Sequence, residues 1–235
     1  MAFLPAYLGF SQSDKTWAFG PGINGYGVSG CFKIYKAAKE NQPLTKGDFL
    51  FELGNIQNKR EVALINNALQ SSGVYKYGKI NYAWSFRSYY MARYNLSARQ
   101  DRKSVSLNAV GGIGIPIAYT WPVHILLYDP ARGQGENYEV VRYDPAIHPQ
   151  IYIGGRAPFT RGLNQGKFTP GMGVNGALEF GWGNYRNDVK LLTLGARFEG
   201  YAKKLPVMYE QAGQRLNKSI YSMFYLTFAF GISNH

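Results

Sequence analysis

The sequence predicts an all-β fold, an eight-stranded antiparallel up-and-down barrel that crosses a membrane with its strands. Three observations predict it. Eight segments alternate apolar residues with small, phenolic or charged ones, the period of a strand whose two faces meet different surroundings. The 235 residues contain no apolar run of roughly 18, which a membrane-crossing helix would need. The chain is rich in aromatic residues and glycine (19 Tyr, 14 Phe and 28 Gly), yet its mean hydropathy is negative, because only alternate residues of a membrane strand face lipid.

The segments follow in order. Trp17, Phe19, Pro21 and Ile23 alternate with Ala18, Gly20 and Gly22. Asn24-Gly25, a dipeptide favoured in type I′ hairpins, then leads into Tyr26, Val28, Phe32 and Ile34 against Gly27, Ser29, Cys31 and Lys33. A third segment sets Phe49, Phe51 and Leu53 against Leu50, Glu52 and Gly54. The fourth sets Tyr82, Trp84, Phe86, Tyr90, Ala92, Tyr94 and Leu96 against Asn81, Ser85, Arg87, Tyr89, Met91 and Arg93. Val105 to Ile117, Phe168 to Trp182 and Leu192 to Tyr201 continue the pattern, and Ser219 to Ile232 completes it. In the last two segments Leu192, Leu194, Phe198, Ile220, Phe224, Leu226, Phe228 and Phe230 form the lipid-facing set. Tyr82, Trp84, Tyr90, Tyr94, Tyr119, Trp121 and Trp182 are the candidates for the aromatic girdles at the membrane boundaries. A soluble sandwich or lipocalin-like barrel also alternates, but it turns its apolar face inward and covers the outside with Lys, Glu and Thr. Here the face opposite the apolar one carries Gly, Ser, Asn, Tyr and isolated charges, which suits a crowded small-barrel interior.

One domain, residues 15–235, accommodates all eight strands, and an even number returns both termini to one side. With that side periplasmic, the connections at Asn24-Gly25, Lys59 to Lys79, Pro130 to Gly166 and Lys203 to Lys218 are extracellular. Those at Ala37 to Gly47, Ser97 to Ser104 and Gly183 to Asp188 are periplasmic. Three of the first four are long, as extracellular loops of such barrels are. Residues 1–14 read as a signal-peptide remnant or a short N-terminal segment, since Phe3 to Phe10 is apolar and Ser11-Gln12-Ser13 is small and polar. Cys31 is the sole cysteine, so the chain holds no internal disulfide.

The inward faces gather Lys33, Glu52, Arg87, Arg93, Glu179, Arg197 and Glu199 into one lumen. An eight-stranded barrel is only wide enough for its own side chains, so these charges must pair and plug it. The formal net charge is +12, and Arg156, Arg161, Lys167, Lys203 and Lys204 place much of it on an extracellular rim. Such a rim is complementary to the phosphates of lipopolysaccharide. Nucleic acid is excluded as the partner because no basic helix is present and the lipid face accounts for the aromatics. Three scattered histidines and one cysteine make no metal-ligand set, and no cofactor motif is present.

Eight alternating strands, an early Asn-Gly hairpin and an aromatic-rich last strand resemble the small outer-membrane barrel class that includes the OmpA and OmpX barrels. The phrases Asn24-Gly25-Tyr26-Gly27-Val28, Phe51-Glu52-Leu53-Gly54-Asn55 and Gly155-Arg156-Ala157-Pro158-Phe159-Thr160-Arg161-Gly162-Leu163 also resemble barrels of Bacteroidota outer membranes. The resemblance is one of pattern, and it implies the outer membrane of a Gram-negative cell. Elimination then leaves a non-enzymatic anchor or accessory subunit of an envelope protein-assembly or secretion complex, with other outer-membrane or periplasmic proteins as partners. An alternative is a rim enzyme acting on lipid A or phospholipid with His124 or His148 as base; a narrow pore is the third reading.

Overall fold

A computed structural model describes residues 15–36, 44–67, 69, 72–97, 105–129, 138–182 and 188–233. The strands in chain order are β1 (Lys15–Asn24), β2 (Gly27–Lys36), β3 (Leu44–Asn55), β4 (Val62–Leu64), β5 (Tyr75–Tyr77), β6 (Asn81–Ser97) and β7 (Ser106–Pro122). They continue with β8 (His124–Tyr128), β9 (Tyr138–Arg142), β10 (Ile153–Arg156), β11 (Lys167–Trp182), β12 (Asp188–Tyr201) and β13 (Ile220–Ser233). Eight of them close a barrel in the order β1-β13-β12-β11-β7-β6-β3-β2, every pair antiparallel. Closure leaves no unpaired strand edge in the wall, the condition a sheet must meet to sit in lipid.

The two faces of the wall are inverted relative to a soluble barrel. Phe19, Ile113, Phe168, Leu194, Phe198 and Phe224 stand on the outside and are exposed. Alternate residues, among them Arg87, Glu52, Glu179 and Glu199, are fully buried inside. An exposed apolar belt around a charged interior is stable only when the outside medium is apolar.

The prolines of the wall sit where its ladders lapse. Pro21 pairs with Gly30 on one side, while on the β13 side pairing skips from Phe19↔Phe230 to Gly22↔Thr227. Pro116 pairs with Arg87, while on the β11 side pairing skips from Ile117↔Pro170 to Gly114↔Gly173. A residue without an N–H is tolerated at such a gap.

Two boundaries differ from the sequence expectation. The first hairpin turns on Gly25 and Tyr26, with Asn24 paired to Gly27. Asn24 Oδ1 accepts the Tyr26 N–H at 2.9 Å, so the asparagine closes the turn through its side chain, and Gly27 takes the glycine-only φ of 151°. Tyr26 therefore leaves the lipid face and packs edge-on against Tyr221. The second difference lies in Leu44 to Gly47, expected in a turn, which belongs to β3. A bulge between Lys46 and Asp48, with Gly47 at φ 98°, lets the strand run on.

The connections at one end of the barrel build a cap. β4 and β5 form a hairpin, and β10-β8-β9 form a small sheet over the core of Tyr75, Val123, Ile125, Tyr143 and Ile153. The run Ile125 to Tyr128 belongs to β8 of this sheet, separated from β7 at Val123. The loop 202–219 closes over Tyr201, Leu205, Val207, Met208 and Tyr221. Residues 1–14, read as a signal remnant, lie outside the described residues, as do the connections 37–43, 98–104 and 183–187 at the other end.

Candidate functional site

The lumen is filled by two ion-pair layers. Nearer the cap, Glu52 accepts hydrogen bonds from both Arg197 Nη1 and Nη2 at 3.0 and 2.8 Å and from Arg87 Nη1 at 3.1 Å. Arg87 Nε donates to Glu199 at 2.7 Å, and the hydroxyls of Tyr89 and Tyr201 donate to the same carboxylate at 3.0 Å each. The Arg197 guanidinium lies between the rings of Tyr89 and Tyr225, at 5.1 and 4.5 Å. Farther from the cap, Lys33 Nζ reaches Glu179 at 2.7 Å and Thr193 at 2.5 Å. Arg93 Nε donates to Asp48 at 2.9 Å, its Nη1 donates to Glu179, and its guanidinium sits 4.2 Å from the Tyr35 ring.

Lys33, Arg87, Arg93 and Arg197 thus face Asp48, Glu52, Glu179 and Glu199, four cations against four carboxylates, all nearly or fully buried. Such a set stays ionised in a low-dielectric interior only because each charge has an opposite neighbour and hydrogen bonds besides. Asp48 is the member that sequence reasoning missed. It lies two residues before Leu50 and four before Glu52, on the same face, and extending the third strand by one residue would have found it. Inward glycines make room for the rings: a Cβ at Gly195 would come within 2.5 Å of the Tyr225 ring, and one at Gly114 within 2.5 Å of Tyr89. What remains beside the layer of Lys33, Asp48, Arg93 and Glu179 is a cavity of about 20 Å³, close to the space of one water molecule. Among the described residues, side chains fill this stretch of the lumen.

The aromatic residues fall at both ends of the wall. Tyr82, Trp84, Tyr119 and Trp121 lie toward the cap; Tyr90 and Tyr94 occupy the half of β6 away from it, and Trp182 ends β11 there against Phe228. Trp121 departs from a lipid-facing girdle. It is buried, and its indole Nε1 donates to the Phe159 carbonyl at 2.9 Å. Tyr119 Oη likewise donates to the Leu163 carbonyl. These two residues fasten the segment 159–163 to the barrel rim, a long-range contact that strand periodicity does not encode.

His124 and His148 sit in different surroundings. His124 packs beneath Gly162, where a Cβ would come within 2.5 Å of its Cε1, and its buried Nδ1 has no hydrogen-bond partner. Gly162, at φ 77°, makes that cover possible. His148 Nδ1 accepts the Asp144 backbone N–H at 3.1 Å and so closes a turn. Neither ring is hydrogen-bonded to a described carboxylate or hydroxyl that would orient it as a base. Among the described residues, no group of three or more His, Cys, Asp or Glu side chains could hold a metal ion.

Arg156, Arg161, Lys167, Lys203 and Lys204 are exposed at the cap end. Not every basic residue there is free. Glu61 accepts Lys76 Nζ at 2.6 Å, Lys79 Nζ at 2.9 Å and the Asn58 N–H at 2.9 Å. Burial disfavours the Glu61 charge, but the hydrogen bonds from Lys76 and Lys79 outweigh it and hold the carboxyl below the usual glutamate range.

A closed eight-stranded wall, apolar outside and ion-paired within, defines an outer-membrane-type β-barrel protein. The chain is similar to Neisserial surface protein A, with a TM-score of 0.39, 10% identity and coverage of 94% of this chain and 95% of that one. It is also similar to Ail, the attachment invasion locus protein of Yersinia pestis, solved in complex with the heparin analogue sucrose octasulfate, with a TM-score of 0.33, 10% identity and coverage of 94% and 99%. No protein-family model and no curated protein matches the chain.

Proposed function

We propose that the protein is a non-enzymatic anchor or accessory subunit of an envelope protein-assembly or secretion complex. In this reading the barrel sits in the outer membrane with both termini periplasmic and the cap extracellular. The observation that carries the reading is an apolar patch on the cap. Asn66 Nδ2 donates to the carbonyls of Gln150, Ile151 and Ile153, which ties the corner at Ile65 to the segment 150–153. Ile65, Ile147, Ile151 and Tyr152 there are exposed. Apolar side chains gathered on a hydrogen-bonded platform outside the lipid belt suit a protein partner. The charged side chains packed in the lumen, and histidine rings without a described carboxylate or hydroxyl partner, support this reading over a pore or a rim enzyme. Arg156, Arg161, Lys167, Lys203 and Lys204 complement this role by holding lipopolysaccharide phosphates around the cap.

The test is purification from native outer membranes in mild detergent, with wild type compared to Ile151→Asp. Stoichiometric partner proteins that co-elute with wild type and are lost from the variant are expected. A wild-type barrel that elutes alone, carrying only lipid, overturns the reading.

A further inference from the structure

The barrel wall is lowest at its first hairpin. β1 and β2 turn after only Gly25 and Tyr26; β13 runs on past the turn to Ile220, whereas β3 ends at Asn55 beside Val28, and chain from two distant loops lies above the turn. Gln57 N–H donates to the Tyr26 carbonyl at 2.9 Å, and Asn58 Nδ2 donates to the Leu216 carbonyl at 2.8 Å. Between these segments and the hairpin lies a pocket of about 220 Å³ whose lining includes Lys59, Arg60, Arg215 and Lys218. No carboxylate lines it. The neighbouring ones are engaged elsewhere: Glu61 binds Lys76 and Lys79, and Glu210 accepts the N–H groups of Leu216 and Asn217 at 2.7 Å each. Among the described residues, none of the four cations forms an ion pair. Lys59 Nζ instead stands 5.9 Å from the Tyr26 ring centroid.

Tyr26 and Lys59 also belong to a second depression, of about 720 Å³, on the lipid-facing wall. Its floor is small and its flanks are large. Gly176 pairs with Ala196 across β11 and β12, and Ser222 lies diagonally from Ala196 on β13, between rows that carry Phe224 opposite Ala196 and Phe198 opposite Ser222; Val174, Phe198 and Phe224 are exposed. At Tyr26 and Lys59, which line both, the cationic pocket adjoins an apolar groove on the lipid-facing wall. A soluble anion would use only the first part, and a neutral lipid only the second.

From this continuity we infer that the β1–β2 notch is a binding site for a membrane lipid with an anionic phosphate headgroup. Its phosphate lies among Lys59, Arg60, Arg215 and Lys218, and one acyl chain lies in the groove over Gly176, Ala196 and Ser222. Charge selects the headgroup, and the gap in side-chain height selects an amphiphile over free phosphate. The inference rests on the membrane placement proposed above and is independent of any protein partner.

The full chain is reconstituted into nanodiscs of phosphatidylcholine with a minor fraction of phosphatidylglycerol and re-extracted in mild detergent. Retained lipid is then identified by native mass spectrometry. Wild type retains phosphatidylglycerol in preference to phosphatidylcholine. The triple variant K59A/R215A/K218A loses roughly fivefold in retention per removed cation, and A196W, which fills the groove from the lipid side, loses it as well. Equal retention of the two lipids, or wild-type retention in either folded variant, overturns the site. Inorganic phosphate that binds the detergent-solubilised protein as tightly as the lipid does overturns it too, because the groove then contributes nothing. Shifted mobility on heating in SDS gels checks that each variant still forms the barrel, and if the triple variant fails that check A196W decides. Wild type that stays soluble without detergent refutes the membrane placement instead.

Discussion

At the residue scale, Glu52 is the carboxylate on which both Arg87 and Arg197 converge. Its loss leaves two buried guanidinium groups sharing Glu199. We expect Glu52→Ala to destabilise the barrel by about 3–5 kcal/mol, the usual cost of breaking a buried ion pair from one side. Urea unfolding in lipid vesicles measures it, and a loss within error of zero would mean that water replaces the carboxylate. Glu61 makes a different prediction because it belongs to the cap, beyond the strands of the barrel wall. Its folded-state value is held down by Lys76 and Lys79 against the opposing effect of burial. A depressed value means that its contribution is complete above the unfolded-state pKa and fades as pH falls through the folded one. Protease resistance of the segment 58–79 should therefore decline on acidification below about pH 4.3. In Glu61→Gln the resistance should start lower and show no such acid step.

At the element scale, each strand of the wall is a two-faced object, and substitutions on the two faces fail for different reasons. Leu194, midway along β12, is exposed on the lipid side. Leu194→Arg is expected to cost about 2–4 kcal/mol in lipid, and to cost nothing comparable if the barrel were a soluble one. Vesicle unfolding again measures it. The first hairpin depends on Gly27, whose φ of 151° residues with a side chain rarely adopt and whose added Cβ would come within 2.0 Å of Asn55 Oδ1. That oxygen accepts the Val28 N–H at 2.8 Å, so Gly27→Ala disturbs both the turn and its tie to β3. A loss of about 1–3 kcal/mol is expected, and it would also lower the lipid retention proposed for the adjoining notch.

At the scale of the whole molecule, the eight-strand closure and the neutral lumen act together. A barrel of this strand number is filled by its own side chains, and here the filling consists of matched charges. Planar-bilayer recordings of wild type should show no steady single-channel current; a stable open conductance would refute the plugged lumen. The apolar belt gives the molecule a surface for the membrane, and the exposed apolar residues of the cap are the surface we propose for a protein partner.

The sequence by itself determined the strands and their faces, because alternation with a period of two is written residue by residue. From Phe49 to Leu53, or from Tyr82 to Leu96, the faces can be read without any fold. The same alternation carried the lumen charges from Lys33 to Glu199. Only the tertiary structure decided what those charges touch, since the pairing of Glu52 with Arg197 joins residues 145 positions apart. Closure also decided that Asp48 completes the charge balance and that Trp121 is covered by Phe159 instead of lipid. It brought the 56–60 and 215–218 segments together above a low hairpin. Local period fixes which way a side chain points, whereas its partner depends on strand order, stagger and loop packing, which are settled by the burial and pairing of the whole wall at once.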